Sequence, residues 1–363
     1  MLAHSDVGAY LLEAGLFDRD AIAAGGLKVR DVSGRNRVFV VLAQGKAGYV
    51  VKQADPGDHD LLAHEAVVMR QIAAADHRLA RSVPTPVFYD ARRRILVSEL
   101  VADAMELSAY HARGRFPSVL ARQVGRFLAL LHGLRPEVVE EVPDALQTVL
   151  PGVPEDPPSL ELMLAMSDAG VQLLEVLQGS TELCDRLAQL RDSWRATSVI
   201  HGDIRSSNCV AFPPPRGRRR TRIALVDWES AGGGDPHLDL GAVLGEYLHT
   251  WLWSIPVLDG GDLGHAPRYA RHPLRAMRPA IRAFWLAHVG ARERHGATAR
   301  PSLHRAIEFS AAYLVQVAFV RAQAASTFDP RTGLALQLSL NMLRRPTEAA
   351  VQLLGLAAVD GTR

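Results

Sequence analysis

The sequence predicts an α+β chain in two lobes. A small N-terminal lobe is built on antiparallel strands with one main helix, and a larger C-terminal lobe is mostly helical. Three observations carry this. Short runs of strand-type residues bounded by turn residues crowd the chain up to Glu99. After Glu99-Leu100-Val101 that pattern stops, and apolar residues recur at helical spacing. A chain of 363 residues is long enough for two cores. The boundary falls near residues 99–103, giving an N-lobe over 1–99 and a C-lobe over 100–363.

Taken in order, the spacing predicts short helices over 6–14 and 18–24, the second capped by Asp18. Strands follow over 27–32, 38–42 and 49–52, the last two joined by the turn Gln44-Gly-Lys-Ala-Gly48. Ser33-Gly34-Arg35-Asn36-Arg37 joins the first pair. Such a tight polar turn is either a plain hairpin tip or a lid whose N–H groups cover phosphates. A helix over 60–75 carries Leu61, Val68 and Ile72 on one face, and strands over 86–90 and 95–98 close the N-lobe. Helices are expected at 117–134, 159–178, 181–195, 303–326 and 334–357, with loops at 151–158, which holds four prolines, and 259–273.

Composition narrows the function classes. Apolar content of 48% and charged content of 22% fit a soluble globular protein, and a net charge of +2 points to neither a nucleic acid nor a membrane as partner. The basic residues are almost all arginine; only Lys28, Lys46 and Lys52 are lysines, so a lysine at a motif position stands out. Cys184 and Cys209 supply no disulfide framework and no metal spacing. With no signal-type segment at the N-terminus, a reducing cytoplasm is the expected location. The longest apolar run, Phe309 to Val320, is too short for a bilayer and is expected to be a buried helix.

The chemistry concentrates in residues 200–240. Asn208 opens the strand-like run Asn-Cys-Val-Ala-Phe212, and Asp227 closes Ile223-Ala-Leu-Val226. A hairpin of these two runs would bring one carboxamide and one carboxylate together, a donor set that suits Mg2+ shared with a phosphate chain. Asp203 can accept a hydrogen bond from an acceptor hydroxyl, and Arg205 can reach a γ-phosphate oxygen as charge develops. Strand alternation allows Lys52 to point under the hairpin toward a polyphosphate, with Glu65 on the following helix fixing its ammonium. Taken singly, a strand-edge lysine and a solvated helix glutamate are the commoner cases.

His201-Gly-Asp203-x4-Asn208, then Asp227-Trp-Glu229, then Gly234-Asp235-Pro-x-x-Asp239-Leu resembles the signature of the aminoglycoside phosphotransferase and choline kinase superfamily. The resemblance covers most of the chain and implies a protein-kinase-like bilobal fold and an ATP- and Mg2+-dependent kinase with an alcohol as acceptor. Lys52 then matches the third-strand lysine and Glu65 its helix partner. Leu96-Val97-Ser98-Glu99-Leu100 resembles the hinge, where backbone groups around Ser98, Glu99 and Val101 would meet adenine. Leu130-Leu131-His132 resembles a helix end common in the family. His201 would brace the catalytic loop. Asp239 and Asp235 would tie that loop down, or, equally for Asp235, cap the helix that follows. The sequence departs from the family in having Gly34 alone in the nucleotide loop and an unusually long Pro213–Arg222 hairpin, whose arginines are a solvated tip or dock an anionic partner.

The acceptor is less determined, because one scaffold hosts many. From Leu240 onward there are fourteen arginines against eight carboxylates, which argues against a polycationic aminoglycoside and weakens a choline-like amine. Tyr10-Leu-Leu-Glu-Ala-Gly-Leu16, Gly34-Arg-Asn-Arg-Val-Phe39 and Gly48-Tyr-Val-Val-Lys52-Gln53 resemble stand-alone phosphotransferases of lanthipeptide-type maturation clusters. That implies Ser and Thr of a precursor peptide as acceptor, with a separate lyase protein eliminating the phosphate. The alternatives are a small-molecule alcohol, for instance an antibiotic or metabolite, and an inactive pseudokinase. Intact Lys52, Asp203, Asn208 and Asp227 argue against the last.

Overall fold

The computed structural model describes residues 1–17, 27–34, 36–43, 48–55, 61–139, 164, 166–213, 221–257, 266–295 and 301–357. The expected helix over 18–24, the loop over 151–158 and the first residues of the 159–178 helix lie outside them.

Helix α1 (Val7–Glu13) precedes strands β1 (Leu27–Asp31), β2 (Arg37–Ala43) and β3 (Tyr49–Gln53), helix α2 (Leu61–Ala75), and strands β4 (Pro86–Asp90) and β5 (Ile95–Glu99). The strands form one antiparallel sheet in the order β1-β2-β3-β5-β4. Its two faces have different work. Phe39, Val41, Val51, Ile95 and Val97 form one face and pack against Val7, Tyr10, Leu11 and Phe17 in a small core of their own. Alternation turns Lys52 and its cross-strand partner Leu96 to the other face. There Leu96 joins Leu62, Met69 and Ile72 of α2 in the main core.

That main core does not stop at the sequence boundary. It runs on from α2 into the C-terminal helices without a break. These are α3 (Leu107–Ala112), α4 (Ser118–Leu131), α5 (Asp168–Gln178), α6 (Thr181–Asp192), α7 (Pro236–Leu252), α8 (Leu274–Arg294), α9 (Leu303–Gln323), α10 (Pro330–Arg344) and α11 (Pro346–Ala349), the last running into a short π-helical turn over Ala350–Leu354. The helix expected over 334–357 is thus two. Pro346 disfavours helical backbone in the residue before it, and Arg345 takes φ −139° and ψ 63° there. Most of the apolar run of α9 is buried, as expected. No helix among the described residues is long and apolar enough to cross a membrane.

Small sheets hold the loops of interest. β7 (Ser198–Ile200) pairs with β10 (Gly232–Gly234), and β8 (Cys209–Phe212) lies between β6 (Met105–Glu106) and β9 (Arg222–Leu225). Runs this short carry too little periodicity to be read as strands from sequence, which is why β6, β7 and β10 were not expected.

Candidate active site

The β8–β9 hairpin brings Asn208 and Asp227 together. Cys209 pairs with Leu225, and just beyond, Val226 N–H donates to the Asn208 carbonyl at 3.0 Å. Asp227 sits in the left-handed region at φ 69°, a conformation that Asp tolerates better than most residues. It turns toward the large sheet, where its Oδ1 accepts from Lys52 Nζ at 2.7 Å. Lys52 Nζ also donates to both carboxylate oxygens of Glu65, at 2.8 and 2.9 Å. Glu65 Oε1 in turn accepts from Trp228 N–H at 3.2 Å. Burial works against the lysine charge, but the Glu65 and Asp227 carboxylates outweigh it and hold the pKa above the ordinary lysine value. Burial likewise opposes the Asp227 charge, and Lys52 prevails in keeping its pKa low.

The loop between β7 and β8 carries Asp203 and Asn208. Asn208 Nδ2 donates to the Asp203 carbonyl at 2.9 Å and to Asp203 Oδ2 at 3.1 Å, and its Oδ1 accepts from Ser207 Oγ at 3.3 Å. Arg205 differs from expectation. Its guanidinium pairs with Asp203 Oδ2, a carboxylate two residues away over which the long side chain folds back. His201 is fully buried, stacks on Trp228 at 4.5 Å and donates through Nε2 to the Val226 carbonyl at 3.2 Å. Gly202 takes φ 80°, and a Cβ there would collide with the Ser230 carbonyl, so only glycine fits.

The two aspartates flanking the start of α7 diverge. Asp239 is fully buried and accepts from His201 N–H at 2.9 Å, Gly202 N–H at 3.0 Å and His132 Nε2 at 3.1 Å. Burial opposes its charge, but the His132 bond and the backbone donors keep its pKa low. Asp235 does not reach the loop, and its expected share in tying that loop down is corrected here. It caps α7 by accepting from His237 N–H at 3.0 Å and pairs with Arg305 at 2.6 Å. A side chain at the N-cap faces its own first turn, which leaves it nothing to offer β7.

Gly34 lies at the exposed tip between β1 and β2, its N–H donating to the Asn36 carbonyl at 3.1 Å. Arg35 lies outside the described residues, as do Arg216, Arg218, Arg219 and Arg220 of the long hairpin. Asn36 Nδ2 reaches across to Glu229 Oε2 at 3.2 Å, linking the tip to the Asp227-Trp-Glu229 segment. Nothing in either segment alone signals that pairing. In the hinge Ser98 is buried and Glu99 exposed. Glu99 N–H is taken by the Thr85 carbonyl at 2.9 Å and Leu100 N–H by the Gly48 carbonyl at 2.9 Å.

On the other side of Asp203 opens a cavity of about 1050 Å³, lined among others by Asp203, Arg205, Glu246, Trp253, Arg321 and Tyr313. Glu246 stands two turns after Asp239 on the same face of α7. Its Oε2 accepts from Ser206 N–H at 2.7 Å, and its Oε1 from Tyr313 Oη at 2.6 Å. Burial raises its pKa, but hydrogen bonds from His249, Ser206 and Tyr313 bring it down to about 2. The spacing from Asp239 was the signal that could have marked Glu246; Tyr313, from α9, had none.

Residues 28–283 match the phosphotransferase enzyme family. The chain belongs to that family. A choline kinase from Cryptosporidium parvum superposes on this phosphotransferase with a TM-score of 0.52, covering 91% of this chain and 93% of that one at 10% identity. A macrolide 2'-phosphotransferase from Brachybacterium faecium gives a TM-score of 0.46 at 18% identity, covering 92% and 98%. Among curated proteins, 4-hydroxytryptamine kinase from Psilocybe cyanescens is 27% identical over 188 residues, a match that spans 46% of this chain and 46% of that protein. The fold is the α+β protein-kinase-like one, and the family makes the chain a phosphotransferase.

Proposed function

We propose that this phosphotransferase moves the γ-phosphate of ATP to an alcohol group of a small-molecule acceptor. The observation that carries it is Lys52 Nζ, bound at once by Glu65 and Asp227 beside the loop that bears Asp203 and Asn208. Such a cation, immobilised and partly desolvated, is placed to meet phosphate oxygens. Residues 1–99 would hold the nucleotide, with Gly34 and Arg35 over the phosphates and the Ser98–Val101 hinge beside adenine. Residues 100–363 would carry the catalytic loop and the acceptor.

The donor set suits Mg2+. Asn208 spends its amide N–H groups on Asp203 and keeps a lone pair on its oxygen beyond the Ser207 hydroxyl it accepts from, and Asp227 has a second carboxylate oxygen beyond the one Lys52 takes. These are hard oxygen ligands, with phosphates and water to complete the shell. When bound, Mg2+ would neutralise charge on the phosphate chain. Asp203 accepts the acceptor's hydroxyl proton as the acceptor oxygen bonds to the γ-phosphorus. The bond from phosphorus to the β-bridging oxygen breaks, its electron pair leaving with ADP, and Asp203 returns the proton to solvent. Arg205, paired with Asp203, would leave it to meet a γ-phosphate oxygen as charge develops. Asp239 holds His201 and Gly202, and through them the loop, with His201 bracing it from behind.

The small-molecule acceptor is favoured by the cavity, whose volume is of the order that encloses such ligands. The relatives reported above are named for choline, a macrolide and a hydroxytryptamine. A precursor peptide and lyase partner rest on three N-terminal stretches. In the first of these Tyr10 and Leu11 are buried against the far face of the sheet, so that likeness concerns packing and not the acceptor. Incubation with γ-labelled ATP, Mg2+ and a panel of hydroxylated small molecules beside a Ser/Thr-rich peptide checks the reading. Label transfer to a small molecule, lost in Asp203→Ala, is expected; transfer to the peptide alone would overturn the acceptor class.

A further inference from the structure

The cavity beyond Asp203 carries its charge unevenly. Each of its carboxylates is already met by donors. Asp203 is met by Arg205 and Asn208, Glu246 by Ser206 and Tyr313, and Glu229 by Asn36. Its arginines are not all met. Arg205 is taken by Asp203, and Arg331 pairs with Asp329 at 2.6 Å. Among the described residues no carboxylate pairs with Arg271 or Arg321, both of which line the cavity.

Arg321 lies against His249 and Trp253 instead, with the charges of Asp329 and Glu246 nearby but not paired to it. Its Nε donates to His249 Nε2 at 3.2 Å, and its guanidinium lies 4.9 Å from the centre of the Trp253 ring. Partial burial pulls its pKa down, the condition an anionic partner would relieve. Arg271 is tied to the same wall. Its backbone N–H donates to the Ser254 carbonyl at 2.9 Å, next in the chain to Trp253. Trp253 Nε1 is buried without a partner among the described residues, and an indole nitrogen can only donate. Two guanidinium groups therefore line one cavity beside Trp253 without a carboxylate partner among the described residues.

We propose that this wall takes an oxyanion of the acceptor, a carboxylate or a phosphate, while the acceptor's hydroxyl lies at Asp203; this rests on the phosphotransfer reading above. Guanidinium groups suit such groups because their paired N–H donors match the spacing of two oxygens. A cationic acceptor would meet like charge at the same place.

The test reads ligand-induced changes in Tm on the full chain with ADP and Mg2+. The carboxylate arm compares 4-hydroxyindole-3-acetate, 4-hydroxyindole and 4-hydroxytryptamine, which share ring and hydroxyl and differ in charge. The phosphate arm compares glycerol 3-phosphate with glycerol. A rise of ~2–4 °C is expected for the anion of at least one arm and for no neutral or cationic member. The arm that responds names the oxyanion. Arg271→Gln and Arg321→Gln should each cut that rise by half or more, with the ATP-induced shift of the same variants reporting their folding. An equal or larger rise with the amine, a rise that survives both substitutions, or no rise in either arm overturns the proposal. Absence of an ATP-induced shift in the native chain would instead strike the phosphotransfer reading.

Discussion

The two sides of the 201–208 loop are built on opposite plans. On the side of the large sheet, Lys52, Glu65 and Asp227 form a closed set in which one cation satisfies two carboxylates. On the cavity side each carboxylate is met by donors, and among the described residues Arg271 and Arg321 have no carboxylate partner. The first side fixes charge where a common co-substrate would bind. The second leaves charge free for a particular acceptor to meet. One reaction and a variable specificity can share one loop on this plan, since Asp239, which anchors the start of the loop, lines neither side.

The largest expected effect tests whether that loop is the shared element. Asp203→Ala should cut phosphoryl transfer by several orders of magnitude, as positioning and charge terms are each worth several kcal/mol. ATP binding by calorimetry should change little; turnover within tenfold of native would remove Asp203 from the mechanism. Next comes the anchor. Asp239→Ala leaves His201 N–H, Gly202 N–H and His132 Nε2 without an acceptor, each buried donor worth ~1–3 kcal/mol. A loss of ~3–5 kcal/mol in urea unfolding is expected together with a large fall in turnover, whereas Asp235→Ala, which strips a buried cap and the partner of Arg305, should destabilise by a similar ~3–5 kcal/mol but leave turnover within tenfold of native. Turnover unchanged in Asp239→Ala would show that the loop does not depend on Asp239.

Glu65→Gln then separates the two sides. It weakens the hold on Lys52 and should lower ATP affinity roughly ten- to a hundredfold, from charge-assisted bonds worth ~1.5–3 kcal/mol. Acceptor KM should move less than ATP KM; the reverse would mean that the two sides are not independent. The smallest effect is on pH dependence. Burial lowers the His111 pKa from 6.5 to about 4, and those of His132 and His288 also fall, burial again the first cause. A histidine kept neutral in the fold takes up its proton first in the unfolded chain, so its contribution is present above 6.5 and is lost as pH falls toward 4. Tm should therefore decline over that range, and His111→Phe should flatten part of the decline.

Much of the molecule was legible in the chain. The five N-lobe strands and helix α2 follow from local alternation and turn residues, which act over a few positions and need no distant partner. Hydrophobic periodicity also gave several of the long helices, but left α7 and α8 without bounds and missed the cap at Ser167 and the break that Pro346 imposes. The Asn208 and Asp227 approach was readable as a hairpin because each residue sits beside its own strand. The family signature marked the residues that the loop gathers.

Tertiary structure decided what depends on direction and on distant partners. Asp235 and Asp239 are chemically alike and one helical turn apart, yet one faces its own first turn and the other faces β7. Asn36 meets Glu229 across 193 positions, and Glu246 meets Tyr313 across 67, separations over which no local pattern operates. The boundary near residue 99 follows the change from strand to helix, but α2 lends its apolar face to the C-terminal core, because a single helix face buries where apolar surface is available and not where the sequence pattern changes. The arginine excess of the C-terminal half was visible from composition. Which of those arginines line the cavity without a carboxylate partner among the described residues was set only when the chain folded, since pairing is a matter of a few ångströms and composition carries no distances.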